Sequence, residues 1–171
     1  MRLAADLGTK TVMKGFTLIE LILVLTILAI AVAMSAPMLA AFFRGRALDS
    51  EARRLLSLSR AGQSRAVSDG MPVLLWIDSS RGSYGIEEEM PSKGNDAKAT
   101  EFSLDSTLRL EAPNAAPVAV NRRKLPAVRF LPDGTIDESS PVALKLLASD
   151  GSMLWLVAAT NRLFYAIQYT R

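Results

Sequence analysis

Hydrophobic positions follow one pattern near the N-terminus and another beyond residue 70. From Leu21 to Phe43 there are 23 residues without a charge, LILVLTILAIAVAMSAPMLAAFF. As a helix at about 1.5 Å per residue they rise roughly 35 Å, enough to cross a hydrocarbon core of ~30 Å. A cleaved secretory signal usually has an apolar region of only ~7–15 residues, so this run predicts a retained membrane span. A buried core helix of this length without a charge is a weaker reading.

Beyond the span, Leu48, Ala52, Leu55, Ser59, Gly62 and Ala66 recur at spacings of four and three. They form one stripe of small and apolar side chains on a helix, with the arginines mostly off it. Asp69-Gly70 and then Pro72 supply a helix stop. A single helix from about Thr17 to about Ser68 is therefore expected. Pro37 removes one of its backbone hydrogen bonds and is expected to kink or locally open it.

After Pro72 the period shortens to that of strands. Val73–Ile77 is a short apolar run, Asp78–Gly82 a turn, and Ser83–Glu87 its hairpin partner. Glu87–Glu101 is polar and reads as a long loop. Thr107–Glu111 alternates, and Asn114–Lys124 reads as loop or edge strand. Val128–Leu131 leads into the turn Pro132-Asp133-Gly134-Thr135. Val142–Leu147 and Met153–Val157 flank Ser149-Asp150-Gly151-Ser152, and Leu163–Tyr169 closes the chain. About seven short strands at this spacing predict an all-β sandwich or two small sheets. Trp76 and Trp155 fall in strand-like runs and are expected in the core.

Composition narrows the chemistry. The chain has 171 residues, no Cys and no His. That excludes disulfides, Cys/His zinc sites, and triads or acid–base steps built on histidine. No Ser/Lys or paired-carboxylate spacing suggests catalysis, so neither an enzyme nor a cofactor is expected. The 20 basic and 17 acidic residues give a net charge of +3. Much of the positive charge lies on the helix, where Arg44–Arg65 holds six Arg against Asp49 and Glu51. Counting Arg2, Lys10 and Lys14 before the span against Arg44, Arg46, Arg53, Arg54 and Arg60 after it would keep the C-terminal side in the cytoplasm.

Glu20 stands out because a carboxylate at the start of a hydrocarbon-length helix is costly unless it meets a cation or stays at the interface. A cut between Gly15 and Phe16 would create an α-amino group one turn before it. The two charges could then pair within a molecule or between neighbours. Snorkelling into head groups is the alternative.

The string Lys14-Gly15-Phe16-Thr17-Leu18-Ile19-Glu20-Leu21 resembles the class III leader and prepilin peptidase site of the type IV pilin superfamily. The resemblance implies cleavage after Gly15, N-methylation of Phe16 and a role for Glu20 in assembly. Pro37 matches a helix-kinking proline common in these proteins. A cytoplasmic N-terminus is also implied, against the charge count, with the C-terminal domain in the periplasm and the span in a bacterial inner membrane.

The stretch Ser57–Ala66, with Gly70 and a strand ending at Asp78, is similar to the H-type minor pseudopilins of type II secretion. Phe130, Pro132 and Gly134 resemble the F-x-P-x-G turn of that family. The fold so implied is α+β and pilin-like, with a long N-terminal helix packed on a sandwich of two small antiparallel sheets. The expected parts are a leader at 1–15, a transmembrane and assembly helix at 16–43, an amphipathic stem at 44–69 and a periplasmic β domain at 70–171.

The implied function is a structural one, in a pseudopilus that assists export of folded proteins across the outer membrane. The implied partners are other minor pseudopilins, the major pseudopilin, the prepilin peptidase, the inner-membrane assembly platform and exported cargo. The alternative is a minor type IV pilin that binds DNA for uptake or supports pilus assembly. Relatives of that kind carry a basic Gly-Arg-rich C-terminus, whereas this chain ends Tyr165-Ala166-Ile167-Gln168-Tyr169-Thr170-Arg171.

Arg122-Arg123-Lys124 and the stem arginines lack neighbouring aromatic residues, so nucleic acid is not the expected partner. Asp133, Asp137 and Glu138 do not fit a calcium-loop spacing, and no metal site is expected.

Overall fold

The computed structural model describes residues 15–91, 96–120 and 123–169. The chain divides into two compact units, Met1–Ala41 and Phe42–Arg171. Its one helix among the described residues, α1, spans Leu18–Asp69 and so contributes to both.

In the first unit the window Leu18–Ser35 has a mean hydropathy of 2.7 and is wholly exposed in the single chain. It is long and apolar enough to cross a membrane. Its two hydroxyl side chains are satisfied within the helix. Thr26 Oγ1 donates to the Ile22 carbonyl at 2.8 Å, and Ser35 Oγ to the Ala31 carbonyl at 2.8 Å. Such bonds remove the cost of placing a hydroxyl among hydrocarbon.

In the second unit the stripe read from the sequence is the buried face of α1: Leu48, Ala52, Leu55, Ser59, Gly62 and Ala66 are all buried. The helix stops at Gly70, whose φ of +66° is the left-handed conformation that closes a helix end. The chain then enters β1 (Val73–Asp78), β2 (Ser83–Glu88), β3 (Thr100–Ser103), β4 (Leu108–Glu111) and β5 (Pro117–Val120). β6 (Arg123–Phe130), β7 (Ala143–Ala148), β8 (Met153–Ala158) and β9 (Tyr165–Tyr169) follow.

Two antiparallel sheets result, one ordered β3-β2-β1-β6-β5 and the other β4-β7-β8-β9. One core joins them to the stem. It contains Leu48, Ala52 and Leu55 of α1, Leu75, Tyr84 and Phe130 of the five-stranded sheet, and Leu110, Leu146 and Leu156 of the other. This is the expected α+β, pilin-like arrangement of a long helix on two small sheets.

Three sequence expectations need correction. First, nine strands form among the described residues rather than about seven. The polar Glu87–Glu101 stretch ends inside β3, and Asn114–Lys124 holds β5 and the start of β6. β3 and β5 are both edge strands of four residues; β3 has one apolar position, Phe102, to mark it, and β5 is the edge strand that the reading of Asn114–Lys124 allowed.

The second correction concerns Trp155, which is half-buried on the outer face of its sheet. The Lys145 ammonium lies 5.7 Å from the centre of its ring. Periodicity alone does not say which face of a strand is inward. Trp76 is buried as expected, but in a small second cluster with Leu74, Val120, Leu125 and Ala127.

Third, Arg65 departs from the other stem arginines, because its side chain is only 9% exposed. It reaches Asp69 at 3.3 Å, Glu88 at 2.8 Å and Asp96 at 2.6 Å. Asp96 Oδ2 also accepts the Glu88 backbone N–H at 2.9 Å. The helix end is thereby fastened to β2 and to the segment that follows it.

Candidate functional site

The N-terminal motif begins on irregular backbone. Gly15 is exposed, and no described atom lies within 4 Å of where a Cβ would stand. Its φ is not positive, so the fold does not demand glycine there. Phe16 is 81% exposed, as are its apolar followers Leu18 and Ile19 at 76% and 75%.

Thr17 caps the helix. Its Oγ1 accepts the Glu20 backbone N–H at 3.3 Å, and its carbonyl accepts the Leu21 N–H at 3.2 Å. Thr17-Leu18-Ile19-Glu20 is thus a Thr-x-x-Glu sequence at a helix start, the spacing of a capping box. That four-residue spacing is the signal in the sequence that marks Thr17 as the cap. Glu20 stands in the first helical turn, where the helix dipole favours negative charge. No described residue forms an ion pair with its carboxylate. Among the described residues, therefore, no cation offsets its entry into an apolar setting.

Pro37 lies within α1, whose helical run is unbroken through it. Its missing N–H leaves one helical carbonyl without its usual donor.

The turn motif sits on the stem. Phe130 is buried, and its ring carbons lie 3.0 Å from where a Cβ on Gly62 would stand. Gly62 is therefore the space that lets the ring reach the helix. Gly134 has a φ of +85°, and a Cβ there would meet the Val67 side chain at 3.4 Å. The turn closes through Gly134 N–H to the Leu131 carbonyl and Leu131 N–H to the Thr135 carbonyl, both 2.9 Å. Pro132 is its exposed corner.

Gln63, which the sequence reading did not single out, ties this turn down. Its Nε2 donates to the Gly134 carbonyl and, at 2.5 Å, to the Leu163 carbonyl. One stem side chain thus holds a turn leaving the five-stranded sheet and the loop before β9.

The acidic residues weighed as metal ligands are engaged in turns. Asp133 Oδ1 accepts the Thr135 N–H at 2.8 Å and the Thr135 hydroxyl at 2.7 Å. Those bonds, the hydroxyl first, hold its carboxyl below the usual carboxylate range. Asp137 does the same for Ser139, accepting its N–H at 2.9 Å and its hydroxyl. Of the basic run weighed for nucleic acid, Arg123 Nη1 donates to Asp78 Oδ2 at 2.5 Å.

The chain therefore consists of an exposed apolar helix with a capped, acid-bearing start and an α+β domain fastened to the stem of that helix. Residues 51–171 match the family model described as Type II transport protein GspH, and residues 11–36 match the prokaryotic N-terminal methylation motif. The chain belongs to the GspH family.

Two solved structures resemble it, both of the minor pseudopilin EpsH from the type II secretion system of Vibrio cholerae. One is 17% identical with a TM-score of 0.47, covering 74% of this chain and 95% of that one. The other is 18% identical with a TM-score of 0.43, covering 74% of this chain and 91% of that one. Comparison with curated proteins gave no match.

Proposed function

We propose that this protein is a minor pseudopilin, a structural subunit of a type II secretion pseudopilus that assists export of folded proteins across the outer membrane. The observation that carries this reading is the window Leu18–Ser35, which no described residue covers. Such a surface needs lipid before assembly and neighbouring helices after it. Membership of the GspH family supports the same reading.

In this reading residues 1–15 are a leader, 16–43 the transmembrane and assembly helix, 44–69 the stem and 70–171 the periplasmic domain. The protein is a single-pass inner-membrane protein with its N-terminus in the cytoplasm. A prepilin peptidase cuts between Gly15 and Phe16, and Phe16 is then N-methylated. Gly15 supports this, because the fold makes no demand for glycine there. Pro37 gives the helix a place to bend within the filament. The Phe130–Gly134 turn keeps the domain fixed on its stem. Partners are other minor pseudopilins, the major pseudopilin and the assembly platform, with exported cargo at the exposed surface.

The test is mass spectrometry of the mature protein from membranes. The expected N-terminus is methylated Phe16, and Gly15→Val should accumulate uncut. A mature protein that starts elsewhere overturns the assignment. Loss of secretion, rather than of DNA uptake, on deletion of the gene separates the pseudopilin reading from the DNA-binding pilin.

A further inference from the structure

A cleft of about 670 Å³ opens in the second unit where loops of both sheets meet. Three connections wall it: the β1–β2 turn, the β3–β4 loop and the β7–β8 turn. Its mouth is open to solvent, since Ser80, Arg81, Asp105, Ser106, Arg109 and Ser149 around it are all exposed. Leu104 and Leu147, both half-buried, give it an apolar wall.

The polar groups of the cleft differ in what they have left to offer. Its carboxylates are engaged. Asp78 accepts the Ser80 hydroxyl at 2.5 Å, the Arg81 backbone N–H at 3.1 Å and Arg123 Nη1 at 2.5 Å. Asp105 Oδ1 accepts the Thr107 N–H at 2.8 Å and its hydroxyl at 2.7 Å. Several donors are free. The Arg81 side chain is 68% exposed, and its guanidinium comes no nearer to Asp78 than 4.0 Å. Arg109 forms no ion pair with any described residue. The Ser83 hydroxyl, buried in the wall, has no partner among the described residues. A guanidinium has N–H donors and no acceptor, so two of them free at one opening call for a ligand with negative charge and oxygen acceptors.

Charge and lining narrow the ligand. Arg81, Arg109 and Arg123 stand against Asp78 and Asp105, three positive charges against two. That excess of one is too small for a polyanion, and no aromatic side chain among the described residues lines the cleft for a base to stack on. The apolar wall beside the arginines fits instead an acidic segment with leucine-like side chains between its carboxylates. A second copy of this chain does not offer one in its run of adjacent acids, Glu87-Glu88-Glu89. Glu87 is buried, Glu88 accepts from Arg65, and Glu89 accepts from Arg129.

We propose that this cleft binds an acidic, partly apolar peptide segment of another protein, with Arg81 and Arg109 each holding a carboxylate. The contacts are charge-assisted and lie at an open mouth, so binding is reversible and weakens as salt is raised. The inference goes beyond the pseudopilin reading and does not depend on it.

The test uses the full chain in detergent micelles and a fluorescent, end-capped peptide alternating glutamate and leucine, with a photo-crosslinking group at one end. Anisotropy reads the affinity, and mass spectrometry of the crosslinked chain reads the place. Crosslinks should fall within 78–83, 104–110 and 147–151. Arg81→Gln and Arg109→Gln should each weaken binding about fivefold, the size of one exposed ion pair. Asp105→Asn still makes the turn with Thr107 but removes a like charge from the mouth, and should tighten binding. Circular dichroism should be unchanged in all three.

Equal binding of the same peptide with glutamine for glutamate overturns the proposal, as do crosslinks elsewhere or full affinity in both arginine variants. Displacement of the peptide by inorganic phosphate or oligothymidylate at matched charge also overturns it, by giving the cleft to phosphate. Self-association of the chain that the peptide competes away overturns the choice of partner. None of these results touches the cleavage and secretion assays on which the pseudopilin reading stands.

Discussion

Gly85 lies directly beneath the Trp76 indole across the β1–β2 pair. A Cβ on Gly85 would stand 2.7 Å from Trp76 Cζ2 and 2.1 Å from the Thr100 carbonyl oxygen. The ring fills the place that a side chain on β2 would otherwise occupy. The backbone of β3 closes the other side.

Gly85→Ala is therefore expected to destabilise, because a carbonyl in a sheet ladder moves less readily than the tip of a flexible side chain. Overpacking a well-packed site costs about 1–3 kcal/mol, and a clash with backbone belongs at the upper end. Thermal unfolding of the full chain in detergent would show it. Gly82→Ala is the comparison, since it meets no atom within 4 Å and bears only the strain of a φ of +62°. Equal stability of Gly85→Ala and the parent would contradict the packing described.

The Arg65 cluster makes an acid-sensitivity prediction. Burial pushes the Asp96 carboxyl up, but the Arg65 hydrogen bond and the Glu88 and Lys98 amides more than offset this and hold it below the usual carboxylate range. Asp78 is held low as well, first by the Ser80 hydroxyl and then by the Arg81 amide and the Arg123 charge. A carboxyl whose folded pKa is depressed gives stability that is fully present above its unfolded value of about 3.9. That stability is lost as pH falls through the folded value. Stability should be flat with respect to these groups from pH 7 to about 5 and fall below about 4. Asp96→Asn should be less stable at pH 7 and show a shallower acid limb. Identical acid limbs in parent and variant would contradict the coupling.

Arg65→Met should cost about 3–5 kcal/mol, as expected when one partner of a buried ion pair is removed. It leaves Asp96 and Glu88, at 5% and 17% side-chain exposure, without their cation. Lys98, 65% exposed and 2.8 Å from Asp69, is a surface pair and should matter far less. Chemical denaturation of Arg65→Met and Lys98→Met would rank them.

Gln63 predicts a difference between two substitutions. Gln63→Ala removes the N–H donors from the Gly134 carbonyl, partly buried, and the Leu163 carbonyl, exposed, and should cost about 1–2 kcal/mol. Gln63→Glu places an acceptor-only carboxylate against the same two carbonyls and should cost more at neutral pH. Both variants should exchange the 163–169 amides faster than the parent. If Gln63→Glu were the more stable of the two, the carbonyls could not be facing this side chain.

The helical half of the molecule was legible from the sequence because its periodicity is long and unbroken. The stripe from Leu48 to Ala66 and the stop at Gly70 fall where the structure has them. The hairpins of β1–β2 and β7–β8 were legible for a related reason, since Gly82 and Gly151 sit in turns with φ of +62° and +86°. The short edge strand β3 was not, because four residues with one apolar position, Phe102, carry too little pattern, whereas β5 is the edge strand that the Asn114–Lys124 reading allowed. Nor could spacing reveal that Arg65, one arginine among six on the stem, would meet two carboxylates from beyond its helix, Glu88 and Asp96, besides Asp69 four residues on. The N-terminal methylation motif over residues 11–36 was legible as a whole, but the capping role of Thr17 was not read from it.

That capping role gives a way to separate two functions of Glu20. Within one chain, Thr17 and Glu20 start the helix; in the proposed filament, the Glu20 carboxylate meets the Phe16 amine of a neighbour in a dry core. Glutamine at this spacing still suits a capping box, but it carries no charge. Glu20→Gln should therefore be inserted and cleaved like the parent yet support little secretion, because the neighbour's amine is left buried without its partner at a cost of about 3–5 kcal/mol. Glu20→Ala should behave the same way, and Glu20→Asp should be intermediate, its reach being one methylene shorter. Thr17→Ala loses only the cap, about 1 kcal/mol of helix stability, and should secrete nearly normally. Complementation with cleavage followed in parallel reads all four. Normal secretion by a fully processed Glu20→Gln protein would show that Glu20 serves the helix start rather than the contact between subunits.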